Sequence, residues 1–266
     1  MATSVHTWVV ASRLAVGLLA AMHFAAAQAQ DATGDHRWTF TPIYTHSSAS
    51  GGRGDWNELD LDLVFKAGPH VLLGANIDRR ERLGLEDTLY TGSVSVQATD
   101  AFEWHASATF TPNADFSPER IYATGVDWKP TRRISLLLDY RQLEFANGNL
   151  RERRPGAILW LSDQTWITAR YSHGDAYGST GYHASSLRLD HVFGGRQQLS
   201  LAYTRGVDPE RDPQLPSVLL TQADYVSAYY RFPIRPALDL ILGAEFEDRR
   251  RVYTRRGASV GLVARF

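Results

Sequence analysis

Charged side chains recur at steps of two along several stretches of the sequence. In one stretch Glu58, Asp60 and Asp62 alternate with leucines. Residues two apart share one face of an extended strand, so these carboxylates are expected to line one side of it. A face of this kind can pass a hydrated solute, or its opposite charges can pair and fill the space. The residues predicted to line such an interior are Glu58, Asp60, Asp62, Asp78, Arg80, Asp139, Arg141, Arg170, Arg188, Asp190, Asp239 and Glu245.

A second arrangement could support hydrolysis. His46 and Ser48 are two residues apart, and Asn57 follows in the next stretch. On a strand the first two side chains share a face and could hydrogen-bond, as a base and a nucleophile require. The nine histidines show no HExxH or other ligand spacing, and the chain has no cysteine. We therefore expect no metal site, no thiol chemistry and no cofactor.

Composition excludes several other classes of protein. The net charge is −1 and the sequence pI is about 6.8, so no basic field favours nucleic acid as a partner. Beyond the N-terminus no apolar run reaches the length of a membrane helix. Without cysteine the chain cannot be a disulfide scaffold.

The N-terminus has the pattern of a secretory signal. Arg13 precedes the apolar run LAVGLLAAMHFAAA, and Ala27-Gln28-Ala29 fits a small-x-small cleavage site. The predicted division is a signal peptide at 1–29 and one mature domain at 30–266. The alternative is a buried N-terminal helix.

Beyond residue 36 the hydrophobic period is two, which is typical of strands and not of helices. Leu59, Leu61 and Leu63 alternate with the three carboxylates named above, whereas a helix would spread those acids around its surface. Fourteen such segments are predicted, with twelve strands as the alternative. They lie at roughly 36–46, 56–66, 70–81, 88–98, 102–112, 119–128, 134–145, 153–161, 164–174, 182–193, 198–205, 221–232, 238–248 and 252–266.

The connections between these segments alternate between long polar gaps and tight turns. This sorting is typical of an outer-membrane barrel, whose periplasmic turns are short and whose outer loops are longer. We therefore predict an all-β, antiparallel, up-and-down transmembrane barrel with apolar side chains facing lipid and polar ones facing the lumen. Its interfacial aromatic girdles are expected to include Trp38, Trp56, Trp104, Trp128 and Trp160. A soluble periplasmic sandwich or lipocalin-like barrel is the alternative.

The last residues indicate how such a barrel would be assembled. Phe266 ends the chain, and Leu262 and Val260 precede it on the same face. A final amphipathic strand that ends in an aromatic residue resembles the signal read by the barrel assembly machinery. The predicted location is the outer membrane of a Gram-negative bacterium.

Arginines cluster in the long gaps, where they are expected to meet lipid or lipopolysaccharide headgroups. Recruitment of an anionic polysaccharide is the alternative. The arginines concerned are Arg79, Arg80, Arg82, Arg151, Arg153, Arg154, Arg249, Arg250, Arg251, Arg255 and Arg256.

Three stretches suggest a family. The opening between Ser48 and Trp56, the run RRERLGLED at 79–87 and the unit GVDWKPTRRISLLLDYRQLEF at 125–145 resemble the YaiO family of outer-membrane barrels. The resemblance covers most of the mature chain. It implies an outer-membrane barrel of poorly defined function, with similar domains sometimes found beside envelope polysaccharide machinery. It brings no catalytic residues.

The stretch from His46 to Asn57 is also similar to the H-x-S…W-N pattern of outer-membrane phospholipases. That resemblance implies a base at His46, a nucleophile at Ser48 and an orienting amide at Asn57. Two departures weaken it, because Ala49-Ser50 replaces the family's Asn-Gly and the spacing to Asn57 differs. The sequence therefore predicts passage or export of a hydrophilic solute, for which a saccharide is one candidate. A structural or receptor barrel and a lipid hydrolase remain the alternatives.

Overall fold

The chain forms one closed barrel of fourteen antiparallel strands, which follow chain order until β14 pairs with β1. The computed structural model describes residues 36–146, 148–176, 180–211, 218–250 and 252–266. The strands are β1 (Trp38–Ala49), β2 (Asp55–Lys66), β3 (Val71–Arg82), β4 (Leu85–Thr99), β5 (Phe102–Phe110), β6 (Arg120–Thr131), β7 (Ile134–Phe145), β8 (Gly148–Ser162), β9 (Thr165–Ala176), β10 (Thr180–Phe193), β11 (Gln197–Arg211), β12 (Val218–Arg235), β13 (Leu238–Arg249) and β14 (Tyr253–Arg265).

The predicted fold class is confirmed, with fourteen strands and not twelve. The predicted signal peptide at 1–29 lies outside the described residues. Within the described ranges, no helix is long and apolar enough to cross a membrane. Below, the terminal end of the barrel is the end where β1 begins and β14 finishes, and the loop end is the opposite one.

Side chains alternate between the two faces of the wall as the period of two predicts. On β10, Leu187 is 53% exposed and Leu189 38% exposed, whereas Arg188 and Asp190 between them are buried. Successive side chains of a strand lie on opposite faces of the wall, so the exposed apolar parity faces outward and the buried polar parity faces the interior. This arrangement inverts that of a soluble protein, and it is the pattern of barrels that lie in lipid.

Aromatic side chains form two outward-facing bands. Trp38, Phe102, Trp128, Phe193 and Phe266 are exposed at the terminal end. A band toward the loop end is mostly tyrosine, which places an amphipathic ring at each expected lipid–water boundary. Its members are Tyr44, Tyr90, Tyr122, Tyr140, Tyr171 and Tyr203.

For two of the five tryptophans predicted to lie in the aromatic girdles, the prediction is wrong. Trp56 is buried inside the barrel against Ala49 and Tyr253, and Trp160 packs inside beside Trp166. Both lie on the inward parity of their strands, so nearness to a strand end was not enough to place them at the lipid surface.

Several strands extend into the stretches predicted to be loops. The gap between β3 and β4 shrinks to a two-residue turn, in which Leu83 and Gly84 have φ of 54° and 76°. Such a turn matches the twist of the strands that it joins. The charged residues on either side continue the alternation and the ladder, with Arg79 opposite Thr88. The polar residues near the loop end therefore belong to strands that extend beyond the lipid, and not to irregular loops.

The C-terminal residue takes part in closing the barrel. The carbonyl oxygen of Phe266 accepts hydrogen bonds from the backbone N–H of Arg37 at 3.1 Å and of Trp38 at 2.9 Å. The Phe266 side chain is 61% exposed, and Val260 and Leu262 share its outward face. These residues stand at the β1–β14 seam, where the last strand must register against the first.

Candidate functional site

The twelve charged residues predicted to line the interior all lie on the inward-facing parity of their strands. Eight are buried, and the other four are half-buried: Glu58, Asp62, Arg141 and Glu245. Nearly all are held in local networks of ion pairs, which a low-dielectric interior strengthens when the geometry is good.

The largest network on one side of the barrel centres on Asp139 of β7. His105 Nε2 lies 3.0 Å from Asp139 Oδ1, and Arg170 Nη1 donates to Asp139 Oδ2. Arg154 Nη2 is 3.8 Å from the same oxygen. His105 stands on β5, two strands from Asp139, and its ring crosses Gly125 of β6. A Cβ at Gly125 would collide with both His105 Nε2 and Asp139 Oδ1, so the contact depends on that glycine.

A second network joins β12, β13 and β14 toward the loop end. Arg255 donates to Glu247 at 2.9 Å and to Glu245 at 2.8 Å. Arg249 donates to Glu247 at 2.5 Å, and the Tyr225 hydroxyl donates to Glu245 at 2.9 Å. Two carboxylates are thus matched by two guanidinium groups, which is the balance that burial of charge requires.

Two smaller networks stand near the terminal end. Asp239 accepts from Arg265 at 2.6 Å, and Arg231 Nε lies 3.9 Å from the same oxygen. Asp190 accepts from Arg188 Nε at 2.8 Å and Arg188 Nη2 at 2.6 Å, and from Ser200 at 2.6 Å. The paired acid and base predicted on β10 therefore satisfy each other.

Most of the remaining predicted residues also have polar partners on the inner wall. Arg80 donates to Asp78 at 3.0 Å through Nε, Asn76 donates to Asp60 at 3.1 Å, and Arg141 Nη2 is 2.6 Å from Glu152. Arg82 donates to Glu58 at 3.1 Å. The pairs in these networks join residues on one strand or on strands at most two apart, so they run along the wall.

Solvent reaches part of the interior. Ser93, Ser107 and Ala123 occupy consecutive register positions on the inward face of β4, β5 and β6, and all three are half-exposed. Ser172 and Ser186 on β9 and β10 are also half-exposed on the inward face. Because these side chains point away from the outer surface, their accessible area faces the lumen.

One element of the interior was not anticipated from the sequence. The connection between β5 and β6, residues 111–119, folds into the mouth at the loop end. The carboxylate of Asp87 accepts hydrogen bonds from the backbone N–H of Asp115 at 2.8 Å, Phe116 at 3.1 Å and Ser117 at 2.6 Å. Phe116 is buried, and the Arg82 guanidinium lies 5.3 Å from its ring centroid. The feature of the sequence that bears on this anchor is the position of Asp87 on the inward-facing parity of its strand.

Apolar side chains also line the mouth beside this loop. Ile121, Leu143, Phe145, Leu150 and Tyr182 form a buried cluster on the inward face of β6, β7, β8 and β10. The prediction that inward-facing side chains are polar is therefore wrong near the loop end of these strands. Here the wall packs as a small dry core, which fixes the strands on which the 111–119 loop rests.

The hydrolase candidates lie on the outer surface. His46 Nδ1 is 3.0 Å from Asn57 Oδ1, and the Tyr44 hydroxyl donates to the same oxygen at 2.9 Å. His46 and Ser48 are exposed on the face of Tyr44. Among the described residues, no hydrogen bond joins His46 to Ser48. The structure therefore brings the base and the amide together but leaves the hydroxyl apart.

No protein-family model and no curated protein sequence matches the chain. Solved outer-membrane barrels do match its fold. The TodX deltaS2S3 mutant, a monoaromatic hydrocarbon channel, has a TM-score of 0.63 at 12% identity, over 92% of this chain and 95% of that chain. The toluene transporter TodX of Pseudomonas putida gives 0.57 at 13%, over 91% and 93%.

A third structure, described as a bacterial polysaccharide outer membrane secretin, gives a TM-score of 0.55 at 8% identity, over 87% of this chain and 99% of that chain. At such low identity the likeness extends to the fold and not to what each protein carries. Together with the apolar exterior and the polar, ion-paired interior, these comparisons show that the chain has the fold of outer-membrane β-barrels.

Proposed function

We propose that this protein is an outer-membrane conduit for small hydrophilic solutes, of the YaiO type, with its loop end outward. Export through the signal peptide at 1–29, removed on secretion, belongs to the same proposal. The observation that carries it is the solvent-accessible inward face of Ser93, Ser107 and Ala123 in a closed barrel with a lipid-compatible exterior. A polar lumen passes solutes when side chains leave space.

Two further observations support a conduit with a restricted mouth. The ion pairs named above join strands at most two apart, so among the described residues they run along the wall of the lumen. The 111–119 loop, held by Asp87, narrows the mouth. The solved neighbours in the TodX group are described as hydrocarbon channels, which supports passage of solutes through this architecture.

A hydroxylated solute such as a sugar suits the accessible part of the inner wall. The side chains of Ser93, Ser107, Ser172 and Ser186 are half-exposed on the inward face. A serine hydroxyl can both donate a hydrogen bond to a sugar hydroxyl and accept one from it. We therefore propose saccharides as the solute class.

Flux through reconstituted vesicles tests the conduit directly. Vesicles that contain the refolded protein should swell in a monosaccharide, more slowly in a disaccharide, and not in a large dextran. Ser107→Trp should slow the swelling because it fills accessible interior space. Ala108→Trp, at the adjacent outward position, is the matched control and should leave it unchanged. Correctly folded protein that gives no swelling with any sugar would refute the proposal.

Lipid hydrolysis is the second candidate, and the His46–Asn57 contact at 3.0 Å on the lipid-facing surface favours it. If Ser48 is the nucleophile, the protein should release fatty acid from phospholipid, and Ser48→Ala should abolish the release. Ser47→Ala, at the adjacent inward position, is the control. Because no hydrogen bond links Ser48 to His46 among the described residues, we expect no release from any of the three proteins.

A further inference from the structure

The arginines predicted to meet lipid headgroups divide between the two faces of the wall. Arg80, Arg82, Arg154, Arg249 and Arg255 face inward and join the interior networks, so for these the prediction is wrong. The outward-facing members are Arg79, Arg151, Arg153, Arg250 and Arg256, and Arg251 lies outside the described residues.

Most outward arginines already have a partner. Arg79 forms an ion pair with Glu86 at 2.5 Å, and Arg250 pairs with Asp224 at 3.3 Å. The Arg256 guanidinium lies 5.9 Å from the centroid of the Phe246 ring. These arginines are therefore partly compensated within the protein.

Arg151 and Arg153 on β8 differ from the rest. Both are exposed, and neither forms an ion pair with any described residue. Asp175 stands opposite Arg151 in the β8–β9 register, but no ion pair within 4.0 Å joins their side chains. This part of the outer surface thus presents two guanidinium groups that form no close ion pair with any described carboxylate.

Side chains that can donate hydrogen bonds continue from Arg153 across four strands. Tyr140, Arg153, His173 and His183 are successive register partners from β7 to β10, and all four are exposed on the outer face. Directly opposed side chains in a sheet stand about 5 Å apart, so the row forms one continuous surface. We call Arg151, Arg153, His173 and His183 the basic patch.

The basic patch stands at the level where the outer surface leaves the lipid. Moving up β8, the outward side chains change from Leu161 and Leu159 to Arg153 and Arg151. Tyr171, which stacks on His183 with 6.4 Å between ring centroids, belongs to the tyrosine band. Headgroup phosphates occupy the layer just beyond such a band.

We propose that the basic patch binds the phosphate groups of a lipopolysaccharide molecule in the outer leaflet. Guanidinium groups bind phosphate bidentately, and the imidazole N–H groups beside Arg153 add donors. The flanking tyrosine rings offer apolar surface for the acyl chains. This proposal rests on the outward orientation of the loop end proposed above, but it does not depend on an open lumen.

Binding of purified lipid A to the detergent-refolded protein tests the proposal. Bisphosphorylated lipid A should bind more tightly than the same lipid without its phosphates. The Arg151→Gln/Arg153→Gln double variant should bind bisphosphorylated lipid A roughly tenfold more weakly, since it loses charge-assisted hydrogen bonds. Arg79→Gln/Arg120→Gln is the matched control, because it removes two outward arginines that have acidic partners at 2.5 Å and 3.9 Å. Its affinity should stay within about twofold of the unmodified protein, the scale on which exposed ion pairs act.

Two results would overturn the proposal. One is equal affinity for phosphorylated and dephosphorylated lipid A, and the other is equal weakening by the two double variants. Heat-modifiability on gels shows whether each variant is folded before its affinity is compared. Neither readout involves solute flux, so a barrel that binds lipid A but passes no sugar would overturn the conduit and leave the basic patch intact.

Discussion

Gly125→Ala should destabilise the barrel although alanine is the better strand residue. The new Cβ would collide with His105 Nε2 and Asp139 Oδ1, whose hydrogen bond of 3.0 Å spans this glycine. Losing a hydrogen bond to a charged group costs about 1.5–3 kcal/mol. Alanine loses less backbone entropy than glycine on folding, and this difference offsets the loss by about 0.5–1 kcal/mol. Moving His105 and Asp139 adds the cost of disturbing a buried ion-pair network. The expected net loss is about 2–4 kcal/mol in the free energy of unfolding.

Reversible unfolding in urea, with the protein refolded into lipid vesicles, provides the assay. Gly92→Ala is the control, because Gly92 faces outward on β4 and a Cβ there would meet no atom within 4 Å. It should leave the unfolding free energy unchanged or raise it slightly. A double-mutant cycle with His105→Ala then isolates the contact.

In the His105→Ala background, Gly125→Ala should cost at least about 1 kcal/mol less than it does alone, because one of the two colliding groups is gone. An equal cost in both backgrounds would refute the reasoning, since the penalty would then arise elsewhere. So would an equal effect of Gly125→Ala and Gly92→Ala.

Three further predictions follow from the faces, the termini and the mouth. Leu189→Arg, on the lipid-facing surface between the two aromatic bands, should cost about 2–4 kcal/mol in unfolding free energy, whereas Ser186→Arg, facing the accessible lumen, should cost less than half as much; equal costs would refute the assigned faces. Deleting Phe266 should lower the outer-membrane yield and leave protein in the periplasm, and unchanged yield would count against an assembly role. Asp87→Ala removes the acceptor for three backbone N–H groups and should raise ion flux through the mouth by freeing the loop, whereas Glu86→Gln on the outer face should not; equal flux would show that the loop does not restrict passage.

Most of the fold could be predicted because lipid imposes a strict alternation on each strand. The run from Leu59 to Phe65 illustrates this, since its leucines and carboxylates could satisfy both environments only as a strand. Every one of the fourteen predicted segments coincides with a strand. Strand ends were harder to predict. β8 begins at Gly148, five residues before its predicted start, because Arg151 and Arg153 extend the ladder outside the lipid, where the outward parity becomes polar and the alternation is lost.

The interior was less predictable, because parity gives the face of a residue and not its partner. Asp139 and His105 are 34 residues apart in the chain, and only the register of three strands, together with a glycine between them, brings them into contact. Trp56 was misplaced for a related reason. An aromatic residue near a strand end suits a lipid boundary, yet Arg82, 4.3 Å from its ring centroid, holds it inside. The anchoring of the 111–119 loop by Asp87 depends on tertiary contacts with no local sequence pattern.

The conductance of single refolded barrels in a planar bilayer tests the central claim most directly. If the lumen is a hydrated passage, the folded protein should produce discrete, reproducible current steps. Asp62→Asn should shift the ion selectivity toward anions, because this half-buried inward carboxylate lies along the path. The Asp55→Asn variant, exposed at the opposite end of β2, is the control and should shift selectivity less. Folded, heat-modifiable protein that inserts into the bilayer without any current steps would contradict the account and leave a filled, structural barrel.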